Sequence, residues 1–266
     1  MSQRREVEGR LALYDDLAGI LAAMRSFALA ELHRVNRRAA AQAELVDNLS
    51  GTLTALAPAL PAPASSRGDI WLLLGSVRGF CGSYNEDLLR SWRAAAAESA
   101  PTLLLGERLS AALALDADRI GVAGALGALD ASAAVDRLLS ALTALRQSHP
   151  ACDGLMLCWH AEDGVRCERL LPIELAAQGR ADRLPLTQEP VAVVAQKVLE
   201  HYCFHLLQAR LLQAIRVENL MRLRQMDNAL QHLERSGDAL RRHRNHLRQE
   251  EIIEEIELIV QDDEQP

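Results

Sequence analysis

Apolar or small residues recur at Val7, Leu11, Tyr14, Ala18, Leu21, Ala28, Leu32 and Val35. The steps alternate four and three and skip only Arg25, which is the spacing of a coiled-coil seam. No proline precedes Pro58, so the pattern predicts one helix of roughly 50 residues, about 75 Å long at 1.5 Å per residue. A second seam runs through Met226, Leu233, Leu240 and Leu247, with Leu223, Leu230, Gly237 and Arg244 interleaved. Thr187 is placed to cap this element, and Pro190 sits where a first helical turn tolerates proline. A helix over about 191–260 would approach 100 Å. Helices of this length need a partner surface, because propensity alone gives marginal stability. The simplest partner for each is the other. Arg25 and Arg244 interrupt the two seams; a register-setting role and a stripe drifting toward solvent explain them equally.

Between the seams the period changes. Short apolar runs at Ile70–Leu74, Thr102–Leu105, Arg119–Leu126, Gly154–His160 and Val165–Ile173 alternate with helix-spaced stretches at Glu86–Glu98, Glu107–Leu115 and Ala131–Ser148. Strands alternating with helices predict βαβ units and a mainly parallel sheet. The last two runs lie across Glu162-Asp163-Gly164 and should form an antiparallel hairpin at one side. The fold class expected is therefore α/β with long helices: an antiparallel two-helix coiled coil with an inserted Rossmann-like domain. Its divisions are a helix over 1–57, a linker over 58–68 rich in proline and serine, the α/β domain over 69–186, and a helix with an acidic tail over 187–266.

Composition narrows the function. With 36 acidic against 29 basic residues the net charge is −7, a poor basis for general nucleic-acid binding. Nucleic acid is not an expected partner. No run of about 18 apolar residues is present that could span a bilayer, and the N-terminal residues do not read as a signal peptide. The five cysteines, Cys81, Cys152, Cys158, Cys167 and Cys203, form no CxxC pair. Their odd number predicts reduced thiols in a cytosolic compartment. A metal site from Cys152, Cys158, Cys167 and His160 lacks zinc-ligand spacing, so neither metal nor cofactor is expected.

The stretch IWLLLGSVRGFCGSYNEDLL, an apolar run followed by a glycine loop and a helix, has the outline of a phosphate cradle. Its glycines, however, are spaced GxxxGxxG through Gly75, Gly79 and Gly82, not GxGxxG. Glu107 follows the second apolar run about where a dinucleotide fold holds its ribose-binding acid. Against this, Phe80 and Tyr84 crowd the place where backbone amides would approach a pyrophosphate. There is no Gly-Lys-Ser/Thr, HExxH or GxSxG, and Cys81 has no evident base. His201 and His205, one turn apart, read as packing and surface positions. The basic cluster Arg241, Arg242, His243, Arg244, His246 and Arg248 precedes Glu250, Glu251, Glu254 and Glu255, an alternation typical of a solvated face or a protein partner. No catalytic set survives.

The chain resembles the γ subunit of the F-type ATP synthase, the central rotating stalk. The loop RGFCGSYN, with Arg78, Gly79, Cys81, Gly82 and Asn85, is similar to the family signature DRGLCGGLN. The C-terminal helix carries the family pattern at Glu218, Arg222, Met226, Asp227, Asn228 and Ala229. The pattern continues at Asn245, Arg248, Gln249, Ile252, Glu255, Ile256, Ile259 and Val260. Ala23-Met24-Arg25 stands where family members have Ala-Met-Lys. The resemblance implies a non-catalytic subunit that transmits rotation between a membrane ion-driven rotor ring and a catalytic α/β hexamer. The implied partners are the α, β and ε subunits and the c-ring, with peripheral association at the cytoplasmic face of a bacterial inner membrane. Arg78, Cys81, Met24, Arg248 and Gln249 would touch the β subunits. The outer face of the shaft would be mostly polar. Departures are Val77 for the signature Asp, Ser83-Tyr84 for a smaller pair, Glu31 for a basic residue, and the acidic end QDDEQP. The rival classes are an NAD(P)-binding enzyme and a static coiled-coil scaffold.

Overall fold

The computed structural model describes residues 2–60, 67–96, 99–173 and 186–263. Two long helices, α1 (Ser2–Leu56) and α5 (Val191–Asp263), begin and end the chain. Between them lie β1 (Asp69–Leu74), α2 (Tyr84–Ala95), β2 (Thr102–Leu105), α3 (Glu107–Ala111), β3 (Arg119–Val122), α4 (Ala131–Ser148), β4 (Gly154–Ala161) and β5 (Gly164–Leu171). The sheet order is β3-β2-β1-β4-β5. Its pairings are parallel except the β4–β5 hairpin, whose two-residue turn falls at Glu162-Asp163, as the apolar runs predict. Two elements are shorter than expected: β3 stops at Val122, and α3 ends at Ala111. Most of the linker and the end of the acidic tail lie outside the described residues.

The chain divides into two compact units, one of residues 1–28 with 223–266 and one of residues 29–222. In the first, α1 and α5 run antiparallel. Arg4 pairs with Glu251 at 2.9 Å, Arg241 with Asp15 at 3.5 Å, and Arg25 with Asp227 at 2.6 Å, so partners descend one helix as they climb the other. The seam is real: Val7, Leu11, Ala28 and Met226 are buried. Arg25, which interrupts it, spends its charge on the opposite helix.

In the second unit the period-two alternation of β1 feeds both faces of the sheet. Ile70, Leu72 and Leu74 point to one face with Leu103, Leu105, Leu157 and Trp159, covered by α4 and by Leu207, Leu211, Leu212 and Ile215 of α5. Trp71 and Leu73 point to the other, under Leu88, Leu89 and Trp92 of α2 and Leu109 of α3. Val35 of α1 joins the first face. The first part of α5 is thus a core element of the α/β unit as well as one strand of the helix pair, which the helical seam alone does not reveal.

The cysteines depart from expectation. Cys158 and Cys167 are joined in a disulfide, and Cys81, Cys152 and Cys203 are free. The two face each other directly across the β4–β5 ladder, with Cα atoms 4.2 Å apart, the close spacing of a non-hydrogen-bonded antiparallel pair. The hairpin register brings them together; the reduced state inferred from count and compartment is corrected here.

Candidate functional site

The glycine loop after β1 leaves the carboxyl end of the sheet where the strand order switches between β1 and β4, the usual crevice for a ligand in an open α/β sheet. Beside it, above β1, β2 and β3, the glycine positions are closely packed by the chain itself. A Cβ on Gly75 would lie 2.3 Å from Leu109 Cβ, and one on Gly124 would lie 2.4 Å from Val77 Cγ2. Gly106 adopts φ 113° with its missing Cβ only 2.8 Å from the carbonyl oxygens of Gly75 and Ser76. The loop amides are also engaged: Gly75 N–H donates to the Leu105 carbonyl at 2.8 Å, and Ser76 N–H to Asn85 Oδ1 at 3.0 Å. Glu86 and Asp87 occupy the first turn of α2, where negative charge opposes a phosphate at the helix N-terminus. The outline of a nucleotide site is present, but its glycines pack against the chain's own atoms and its first amides are already bonded.

What holds the loop is a buried polar network to α5. Glu218 and Arg222, one helical turn apart, form an ion pair whose side chains are only 7% and 6% exposed. Arg222 also donates from Nε to the Gly79 carbonyl at 3.2 Å and from Nη1 to Asn219 Oδ1 at 2.9 Å. Glu218 accepts the Arg78 N–H at 3.4 Å. Burial pushes the Glu218 carboxyl above its ordinary range, although Arg222 and the Arg78 amide pull the other way. Tyr84 is fully buried and its hydroxyl donates toward the Leu74 and Ala214 carbonyls at 3.2 and 3.4 Å; its ring stacks on His160 at 4.0 Å. His160 Nε2 lies 2.7 Å from the Tyr84 carbonyl oxygen, and burial holds its pKa below the ordinary value.

The expected site residues therefore separate by orientation. Gly79, Glu218 and Arg222 meet in this network, while Asn85 holds Ser76 at the start of the loop, accepting its N–H and donating to its Oγ at 2.8 Å. Cys81 turns inward: its thiol lies 3.4 Å from Ser76 Oγ, packs with Tyr84 and Val217, and is raised in pKa by burial. It is not a surface contact. Arg78 is exposed, and its neighbour Phe80, which the sequence reading treated only as an obstruction, is 60% exposed at φ 59°. A non-glycine residue held there is strained. Gly82 is exposed at the same φ.

On the helix pair, Met226 is buried in the seam, Asp227 pairs with Arg25, and Asn228, Arg248, Gln249 and Glu255 are exposed. Met24 is half-buried. It belongs to a stripe the sequence reading missed: Leu13, Leu17, Ile20 and Phe27 are 54%, 39%, 57% and 73% exposed. Each stands one position before a seam residue, about 100° round the helix. The outer face is mostly polar, as expected, but this apolar stripe interrupts it on α1. The stripe's signal was in the sequence as a second four–three spacing, masked by the stronger seam beside it.

Glu31, which stands where the family carries a basic residue, has an inward task. Its carboxylate accepts the Ala128 N–H at 2.6 Å and pairs with Arg34 at 3.1 Å, while Arg38 donates to the Ala128 carbonyl at 2.6 Å. Among the described residues no group of three His, Cys, Asp or Glu side chains could hold a metal ion.

A family model described as ATP synthase matches residues 3–261. Comparison with curated protein sequences finds no match. Among solved structures the fold is similar to a chain of the Euglena gracilis mitochondrial ATP synthase rotor, at TM-score 0.65 and 15% identity, covering 94% of this chain and 99% of that one. A chain of the same organism's OSCP/F1/c-ring assembly matches at TM-score 0.67 and 16% identity, covering 98% and 93%. A chain from the Tetrahymena thermophila mitochondrial ATP synthase central stalk and c-ring matches at 0.58 and 15%, covering 79% and 99%.

Proposed function

The chain belongs to the γ-subunit family of the ATP synthases, and from that premise we propose that it is a central-stalk subunit that carries rotation between a membrane rotor ring and an α/β hexamer. The observation that carries this reading is the antiparallel pairing of α1 with α5, held by a buried seam and ion pairs at three levels. A helix pair of this kind resists bending and twisting, as a torque-bearing element must. The exposed stripe of Leu13, Leu17, Ile20 and Phe27 is an apolar surface that needs a covering partner, and a surrounding hexamer supplies one. Closure of a β subunit on nucleotide would push against this asymmetric surface, and rotation of the pair would force another β subunit open.

Contacts with the β subunits are assigned to Arg78 and Phe80 at the loop tip, to Met24 on α1, and to Arg248 and Gln249 on α5. All but the half-buried Met24 are exposed. The ε subunit and the ring of c subunits would bind the α/β unit. Nucleotide chemistry belongs to the hexamer, and this subunit has no catalytic role of its own. It would lie peripherally at the cytoplasmic face of a bacterial inner membrane, held there through the ring; no described helix is long and apolar enough to cross a membrane.

The test is assembly with cognate α and β subunits. An isolable complex that hydrolyses ATP only when this chain is present supports the reading. Failure to join α and β, or hydrolysis indifferent to the chain, overturns it in favour of a static scaffold. Titration with NADH or ATP addresses the enzyme reading: the packed glycine loop predicts no binding, and saturable binding there would reverse the assignment.

A further inference from the structure

We propose that the Glu218–Asn219–Arg222 cluster is a rotational clamp: it locks the glycine loop of the sheet to one angular position of α5, so that sheet and helix turn together. The inference rests on the rotary reading above. Its starting point is that this ion pair is almost fully buried in a place where apolar packing would serve stability as well. Taking two charges from water costs more than their attraction commonly returns, and an apolar replacement of similar volume is often neutral or stabilising. A buried pair is therefore weak evidence for stability and directs attention to geometry.

The geometry is angular. Arg222 points its planar fork at three acceptors on two elements: the Glu218 carboxylate and Asn219 Oδ1 on the helix, and the Gly79 carbonyl on the loop. Glu218 in turn holds the Arg78 N–H of the loop, and Asn219 is oriented by the Ile215 carbonyl at 2.8 Å. Hydrogen bonds weaken steeply once bent, whereas apolar burial is non-directional. Turning α5 about its axis by a single residue, about 100°, would break every bond to the loop together. Val217 and Met221 pack the same loop through Cys81 and Tyr84 without any directional bond of their own. The cluster fixes the angle at the glycine loop, as the Arg210–Glu168 and Arg216–Glu162 pairs fix it at the β4–β5 hairpin. Glu218 and Arg222 are positioning residues in this scheme, acting through the loop and touching no nucleotide.

The experiment uses the complete complex in liposomes and measures ATP hydrolysis and ATP-driven membrane potential in the same preparation, with a voltage-sensitive dye that is indifferent to the coupling ion. Two variants are compared with wild type: the apolar pair Glu218→Leu/Arg222→Met, and Arg222→Lys, which keeps the charge and loses the fork. The expected result is assembled complexes that still hydrolyse ATP but build a several-fold lower membrane potential, because the glycine loop no longer turns rigidly with the helix. Adding Met221→Cys to the apolar pair, and oxidising it against the native Cys81, should restore the potential by replacing the clamp with a covalent bond. Wild-type potential in either folded variant overturns the clamp. Loss of folded protein in both variants also overturns it, in favour of a plain folding role. Failure of the rotary reading itself is distinguishable, since the wild-type complex would then neither assemble nor build a potential.

Discussion

At the scale of single residues, the α/β unit depends on a few positions with no tolerance for change. Gly106 combines φ 113° with two carbonyl oxygens 2.8 Å from where a Cβ would stand. Gly106→Ala should destabilise the chain by about 2–3 kcal/mol from strain and backbone collision, read as a lower urea midpoint. His160 gives a pH dependence. Burial holds its folded pKa below the ordinary 6.5, so the unfolded chain takes up a proton first as the pH falls. Its contribution is present above pH 6.5 and is lost as the pH drops through the folded value. Urea unfolding of wild type should show this loss below pH 6.5, and His160→Gln should flatten that part of the profile.

At the scale of elements, the helix pair and the hairpin make separate predictions. Leu240 sits in the seam of α5, where a proline removes a backbone donor and clashes with the preceding turn, costing about 3 kcal/mol or more. Leu240→Pro should leave the sheet folded and abolish coupling in the assembled complex; ion pumping at wild-type efficiency would rule out a role for an unbroken helix. The hairpin disulfide closes a short loop, with nine residues of sequence separation, so its chain-entropy contribution is limited to about 2–3 kcal/mol. Unfolding without reductant should expose three titratable thiols, and five after reduction, with a modest drop in unfolding midpoint between the two forms. Five thiols without reductant would remove the disulfide. The hairpin was legible from its two apolar runs, and counting outward from the turn places 158 opposite 167. The count of cysteines pointed the other way, because it considers compartment and not register.

For the whole molecule, a rotating shaft must be bound firmly enough to be pushed and loosely enough to leave. Exposed hydrogen-bonding side chains suit this, since each contributes only about 0.5–1.5 kcal/mol. Arg248 is exposed on α5; Arg248→Ala should leave the isolated chain as stable as wild type and reduce coupled turnover several-fold in the complex. Unchanged turnover would show that Arg248 makes no functional contact. The site was only half legible at this scale. Arg78 and Cys81 stand three residues apart in one motif, yet the structure points one outward and buries the other. Glu31 read only as a departure from a basic family position, while its carboxylate caps a backbone amide of its own chain.

The sequence by itself determined the helices, the strands and the seam, because each is written as a repeat of period 3.5, 3.6 or 2 over neighbouring residues, and apolar burial enforces that repeat locally. It also carried the family motifs. Only the tertiary structure decided that the glycine loop packs against its own chain, that Cys158 meets Cys167, and that Glu218 and Arg222 hold a loop some 140 positions earlier. Those contacts depend on how separate elements cross, and no local period encodes a crossing.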